Sequence, residues 1–163
     1  MIKFQISIKI KAGLNFPYRA FWLKAIVAKV LQEENINNPL EMGLVITDDS
    51  EIQELNRLYR GIDSATDVLS FAWKDNTRTN KSSSFVSSPE NKVQLGEIII
   101  SYPQTLVQAD KYHKTPEQEL ILLIVHGTLH LLSYDHEKIT SARKMEEREK
   151  IIIRKINQEL ESV

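Results

Sequence analysis

Thr115-Pro116-Glu117-Gln118-Glu119-Leu120-Ile121-Leu122-Leu123-Ile124-Val125-His126-Gly127-Thr128-Leu129-His130-Leu131-Leu132 reads as one helix, and its character sets the rest of the fold. Thr115 is a good cap residue, and Pro116 stands at the first helical position, where its missing N–H costs nothing. Beyond them the segment is apolar on nearly every side, which suits a helix enclosed by other elements. It is expected to be the central helix of the fold.

Working outward, residues 2–10 alternate almost perfectly, with Ile2, Phe4, Ile6, Ile8 and Ile10 against Lys3, Gln5, Ser7 and Lys9. That is the pattern of a half-buried strand. Pro17 is expected to open a helix running to about Glu34, with Phe21, Ala25, Ala28 and Leu31 as its apolar stripe. Leu40 to Thr47 reads as a second strand. Asp48 or Asp49 then caps a helix carrying Ile52, Leu55 and Leu58. A connection from Arg60 to Thr66 leads to a strand over Asp67 to Trp73. Lys74 to Lys92 is polar and serine-rich and reads as a loop. Leu95 to Ser101 gives a fourth strand, and a short helix follows near Gln104 to Tyr112. The chain closes with a charged helix over about Glu137 to Leu160, read as a solvated outer helix. Four strands interspersed with about five helices predict an α+β fold with a mixed sheet, one domain over residues 1–163.

The bulk composition narrows the function. The chain has 163 residues, 42% hydrophobic and 26% charged, which gives material for a core and argues against wholesale disorder. Its formal net charge of −1 creates no global basic field, so any nucleic-acid contact depends on local charge. With no cysteines, disulfides and thiolate ligands are excluded. The start of the chain does not read as a signal peptide, and no apolar run approaches the ~20 residues of a membrane span. A soluble cytoplasmic protein without membrane contact is the expectation.

The central helix also carries the chemistry. His126, His130 and His136 are three of only four histidines in the chain. Residues four apart on a helix lie on one face, so His126 and His130 can share a ligand. If the helix ran on, His136 would point about 240° away from His130 and lie ~9 Å further along the axis. The third imidazole can therefore join only if the helix stops after Leu132 and the chain turns back through Ser133-Tyr134-Asp135. Such an end commonly needs a left-handed residue, for which glycine is the usual choice; either Ser133 meets that conformation at a cost of roughly 1–2 kcal/mol, or the turn uses different dihedrals. Three imidazoles converging on one transition metal, with zinc the first choice, is the functional reading. The plainer one is a pair of hydrogen-bonded core histidines. Asp135 is a candidate partner for the outer nitrogen of a ligand ring. The fourth histidine, His113, reads as a solvated residue.

A second segment, Asn56-Arg57-Leu58-Tyr59-Arg60-Gly61 followed by Thr66-Asp67-Val68-Leu69-Ser70-Phe71, offers a cation. Arg60 either satisfies carbonyls at its helix end or clamps a phosphate with its planar fork. Asp67 is similarly open between turn residue and site residue.

Together these segments resemble the bacterial rRNA maturation factor YbeY family over roughly residues 40 to 150. The family's His-Gly-x-Leu-His-Leu-x-Gly-Tyr-Asp-His run is matched by His126 to His136. Its Asn-x-x-Tyr-Arg helix end is matched by Asn56, Tyr59 and Arg60, its Thr-Asp-Val-Leu-Ser-Phe strand by Thr66 to Phe71, and its Leu-Gly-acid-Ile strand by Leu95 to Ile98. Ser133 stands where the family has glycine, and Ala72 where a proline usually follows. The resemblance implies a single-strand-specific, zinc-dependent endoribonuclease acting in 16S rRNA 3′-end maturation and ribosome quality control. One Zn2+ per chain would be held by His126, His130 and His136, with Arg60 facing the phosphate. Single-stranded RNA, rRNA and the ribosome or its small subunit would be the partners, with no DNA expected. The nucleophile, water or the RNA 2′-hydroxyl, stays open.

Two rivals are weighed. Metzincin proteases share the histidine spacing, but they carry a glutamate general base directly after the first histidine. Gly127 occupies that position and cannot accept a proton. A non-enzymatic ribosome-assembly factor with a structural zinc is the other alternative. The loop from Lys74 to Lys92 carries a smaller expectation, a flap over RNA in which Lys74, Arg78, Lys81 and Lys92 meet phosphates, against a plain surface loop.

Overall fold

The computed structural model describes residues 4–73, 92–135 and 137–161. Strands β1 (Phe4–Ile10), β2 (Leu40–Thr47), β3 (Val68–Ala72) and β4 (Val93–Ser101) form one sheet in the order β1-β2-β4-β3. The first two pairings are parallel, and β3 runs antiparallel to β4. The helices are α1 (Ala20–Glu33), α2 (Asp49–Arg60), α3 (Tyr102–Lys111), α4 (Pro116–Leu131) and α5 (Ile139–Glu161). The α+β class, the mixed sheet and the five helices among the described residues are those the sequence predicts.

Strand alternation sorts side chains to the two faces of the sheet. Ile6, Met42, Leu44, Ile46, Ile98 and Ile100 point to one face and share the main core with α1, α4 and α5. Val45, Leu69, Phe71 and Ile99 point to the other, where Ile52 and Leu55 of α2 cover part of them. The helix α4 sits at the centre: Leu120, Ile124, Val125 and Leu129 have no exposed surface. Its start follows the reading from sequence, with Thr115 accepting from the Gln118 amide and the Gln118 side chain reaching back to the Thr115 N–H.

Gly127 sets how close α4 comes to the sheet. A Cβ there would stand 2.9 Å from Ile98 Cγ2, so a side chain at this position fits only if Ile98 gives way. At Gly96 the backbone has φ +148°, and a Cβ would collide with the Phe71 carbonyl at 2.2 Å. The β2–β4 register shifts at this point, so Gly96 takes up an irregularity that no larger residue could.

Several expectations are corrected. The first helix begins at Ala20, not Pro17, with Arg19 extended as its cap residue. The segment before it packs as a non-helical lead-in, with Phe16 and Tyr18 edge-on against Tyr102 and Tyr18 stacked on Trp22 at 4.8 Å. The buried stripe of α1 is Leu23, Ile26, Val27, Val30 and Leu31, while Phe21 is 81% exposed. In α2 Leu58 is exposed; Asn56 is buried and its Nδ2 donates to the Ser64 carbonyl, tying down the following connection. The last strand and α3 each start two residues earlier than expected. His113 is exposed but has a task, at φ +57° in the turn that ends α3, where its N–H and that of Lys114 satisfy carbonyls of Asp110 and Ala109. Nor is α5 simply solvated, since Met145, Ile152 and Ile156 enter the core.

The end of α4 stops and turns where the sequence reading expects it to. The helix stops at Leu131, and Ser133 is left-handed at φ +78°. Its N–H donates to the His130 carbonyl and that of Tyr134 to the Leu129 carbonyl, a Schellman motif made without glycine. Ser133→Gly should therefore stabilise the protein by about 1 kcal/mol, less a little for the freer unfolded chain. In a chain of this size that raises the melting temperature by about 2–4 °C, which calorimetry would register.

Candidate active site

The end of α4, the strand β3 and the end of α2 meet at a cleft of about 470 Å³ whose lining is mainly polar. Arg60, Ser70, His126, His130 and Asp135 line it. Arg60 arrives from the last position of α2, where Gly61 turns the chain at φ +70°. His126 and His130 arrive one turn apart on α4 and are half-buried. Asp67, also singled out from sequence, accepts from the Val68 amide at 2.8 Å at the start of β3 and is not among the residues lining the cleft. His136 lies outside the described residues, as do residues 74–91 of the proposed flap. Lys92 at the edge of that loop donates to Gln5 Oε1 at 2.8 Å.

The two described imidazoles face one another, Nε2 to Nε2 at 3.1 Å, with ring planes 77° apart. His126 Nδ1 lies 2.5 Å from Glu149 Oε1. A carboxylate only accepts, so Nδ1 carries the proton and Nε2 keeps its lone pair toward the cleft. Two nitrogens bound ~2.0–2.1 Å from one tetrahedral zinc would stand about 3.3 Å apart. The observed pair is within a few tenths of an ångström of that separation, and a carboxylate behind one ring is the usual support of a metal-binding imidazole. Among the described residues no third side chain completes a ligand set with these two. The donors present thus fit two places of a histidine set.

Glu149 is the residue that sequence reading missed. It sits in a charged run, yet Met145, Ile152 and Ile156 are buried, and Glu149 falls on their stripe, four residues after the first and three before the second. Its side chain is only 13% exposed, against 63% for Glu146 and 70% for Lys150. A glutamate on the apolar stripe of an amphipathic helix was the available signal. Asp135, the carboxylate chosen from sequence, lines the cleft, and its Oδ1 accepts from the Glu137 amide at 3.3 Å.

The chain leaving the turn is anchored a second time. Tyr134 donates its hydroxyl to Glu34 at 2.6 Å, and Arg148 Nε donates to the other oxygen of the same carboxylate at 2.7 Å. Burial and then the Glu34 carboxylate raise the Tyr134 pKa. Burial works against the charge of Arg148, but its hydrogen bond and attraction to Glu34 outweigh this and raise its pKa. Both groups therefore keep their protons at neutral pH, and the clamp joins the ends of α1 and α4 to α5.

By fold and cleft this is an α+β protein of enzyme type, with histidines and an arginine gathered over a mixed sheet. A family model described as Endoribonuclease YbeY matches residues 9–157. The chain belongs to this family and by class is a nuclease, a hydrolase of RNA. Among its relatives, the endoribonuclease YbeY of Dehalococcoides mccartyi (strain 195) is 38% identical over 159 residues, covering 96% of this chain and 92% of its own. That of Roseiflexus sp. (strain RS-1) is 44% identical over 126 residues, 75% of this chain and 76% of its own. A Thermotoga maritima protein solved in solution superposes with a TM-score of 0.61 at 25% identity, covering 98% of this chain and 92% of its own. No helix among the described residues is long and apolar enough to cross a membrane.

Proposed function

We propose that this chain is a single-strand-specific, zinc-dependent endoribonuclease of the cytoplasm, acting on rRNA in 16S 3′-end maturation and ribosome quality control. The observation that carries the reading is the pair of Nε2 atoms 3.1 Å apart in the cleft that also holds Arg60. His126 and His130 would hold the ion with His136, one zinc per chain. A zinc ion held there supplies Lewis acidity to a phosphodiester gathering negative charge. Glu149 fixes the proton on Nδ1 of His126 and so keeps the ring's lone pair aimed inward. Arg60 binds the non-bridging oxygens with its planar guanidinium fork and stabilises the additional charge of the transition state. Val68, Ala72 and Leu131 form the apolar part of the same lining.

Arg60→Ala tests this reading against a purely structural metal. Arg60 is exposed, so the variant should fold and keep its zinc, while kcat for cleavage of an unpaired oligoribonucleotide falls about 10²–10³-fold. Unchanged cleavage would remove Arg60 from the chemistry. A wild-type protein that binds zinc yet cuts no RNA would favour the assembly-factor alternative.

A further inference from the structure

A second groove, of about 440 Å³, lies on the other side of β3. The strand divides its side chains between the two: Val68, Ser70 and Ala72 line the first cleft, while Phe71 points into the second. Ser70 and Ala72 line both, and β3 is an edge strand, so the two spaces open along the same margin of the sheet. The end of α2 is divided in the same way, Arg60 into the first space and Tyr59 into the second. Tyr59 is 68% exposed and its ring leans on Phe71, centroids 5.2 Å apart and planes at 58°. Trp73 continues the aromatic lining. Glu97 pairs directly with Phe71 across β3 and β4, which puts a carboxylate beside the aromatic floor.

We propose that this groove is a subsite for one unpaired base, belonging to a nucleotide next to the phosphate held at Arg60. The inference rests on the reading of the first cleft as the place where RNA is cut. Unstacked bases are taken up by aromatic side chains, and every base has a face to stack. Tyr59, Phe71 and Trp73 give the groove aromatic faces on which a base can stack, while its charged lining is of both signs, Lys9 against Glu51 and Glu97. The Glu97 carboxylate can accept from the exocyclic amino group of adenine, cytosine or guanine, which uracil lacks. A base inside a duplex cannot reach Tyr59, so the subsite itself selects for single strands.

The test uses the full chain and short unpaired oligoribonucleotides with fluorescent aminopurine, or an abasic nucleotide, at each position flanking the cut. The wild type should quench aminopurine at one position, and an abasic nucleotide there should raise KM about tenfold with kcat little changed. Tyr59→Ala should abolish the quench and raise KM equally, and Tyr59→Phe should restore both. If the wild type cuts RNA but neither abasic nucleotides nor Tyr59→Ala move KM, the subsite is overturned and the nuclease reading stands. If the wild type cuts no RNA, that reading fails, and quenching alone decides: a quench lost in Tyr59→Ala supports the subsite, and its absence overturns it.

Discussion

His130→Ala is expected to purify as a folded protein with no zinc, where the wild type carries one ion per chain by elemental analysis. The ring is half-buried in the last turn of α4, and alanine is the better helix former, so the fold should survive the change. Two imidazoles instead of three hold an ion far less firmly, and the facing partner of His126 Nε2 is gone. Cleavage should fall by on the order of 10³, because a bound metal contributes several kcal/mol to stabilising transition-state charge. Glu149→Gln grades the same effect. It keeps the shape behind His126 but removes the charge, and zinc affinity measured against a chromophoric chelator should drop ~10–100-fold. Equal metal content in wild type and His130→Ala would remove the ion from the mechanism.

Gly127→Glu should not yield a folded protein at all. The change would install the glutamate that metzincins carry after their first histidine, yet the packing leaves it no room. A Cβ at this position meets three atoms of Ile98 at 2.9–3.3 Å, and Ile98 is wholly buried in a central strand. Overpacking of this kind costs about 1–3 kcal/mol, and an unpaired carboxylate in the core adds several more. Set against a total stability of about 5–15 kcal/mol, the sum exceeds what most domains can lose. Gly127→Ala, whose helix propensity offsets part of the clash, should lose only about 1 kcal/mol net. Thermal unfolding separates the two. A Gly127→Glu protein that melts like wild type would mean that α4 does not lie against β4 as described.

Much of this was legible from residues alone, for reasons particular to each segment. The central helix announced itself because its start is written in Thr115 and Pro116, its interior is apolar throughout, and its two histidines fall one turn apart. The end of the helix near Leu132 was expected because no straight helix could bring a third histidine back, but whether Ser133 would be left-handed stayed open, since a serine can turn a chain in other ways. The face of α1 was misread because apolar residues surround that helix. Phe21, Ala25 and Ala28 form as regular a stripe as Leu23, Ile26 and Val30, and only packing on the sheet decides between them. Glu149 escaped because its neighbours are charged and its partner is 23 residues away. The groove beneath Tyr59 could not be read at all, because it exists only once Phe71 and Glu97 are in register.

The carboxylate behind His126 comes from α5, 23 residues further along the chain. While that helix is docked, Glu149 holds the His126 ring from behind. The ring is thus steadied from outside its own helix, and a change that lifts α5 from α4 would reach the cleft without altering any residue that lines it.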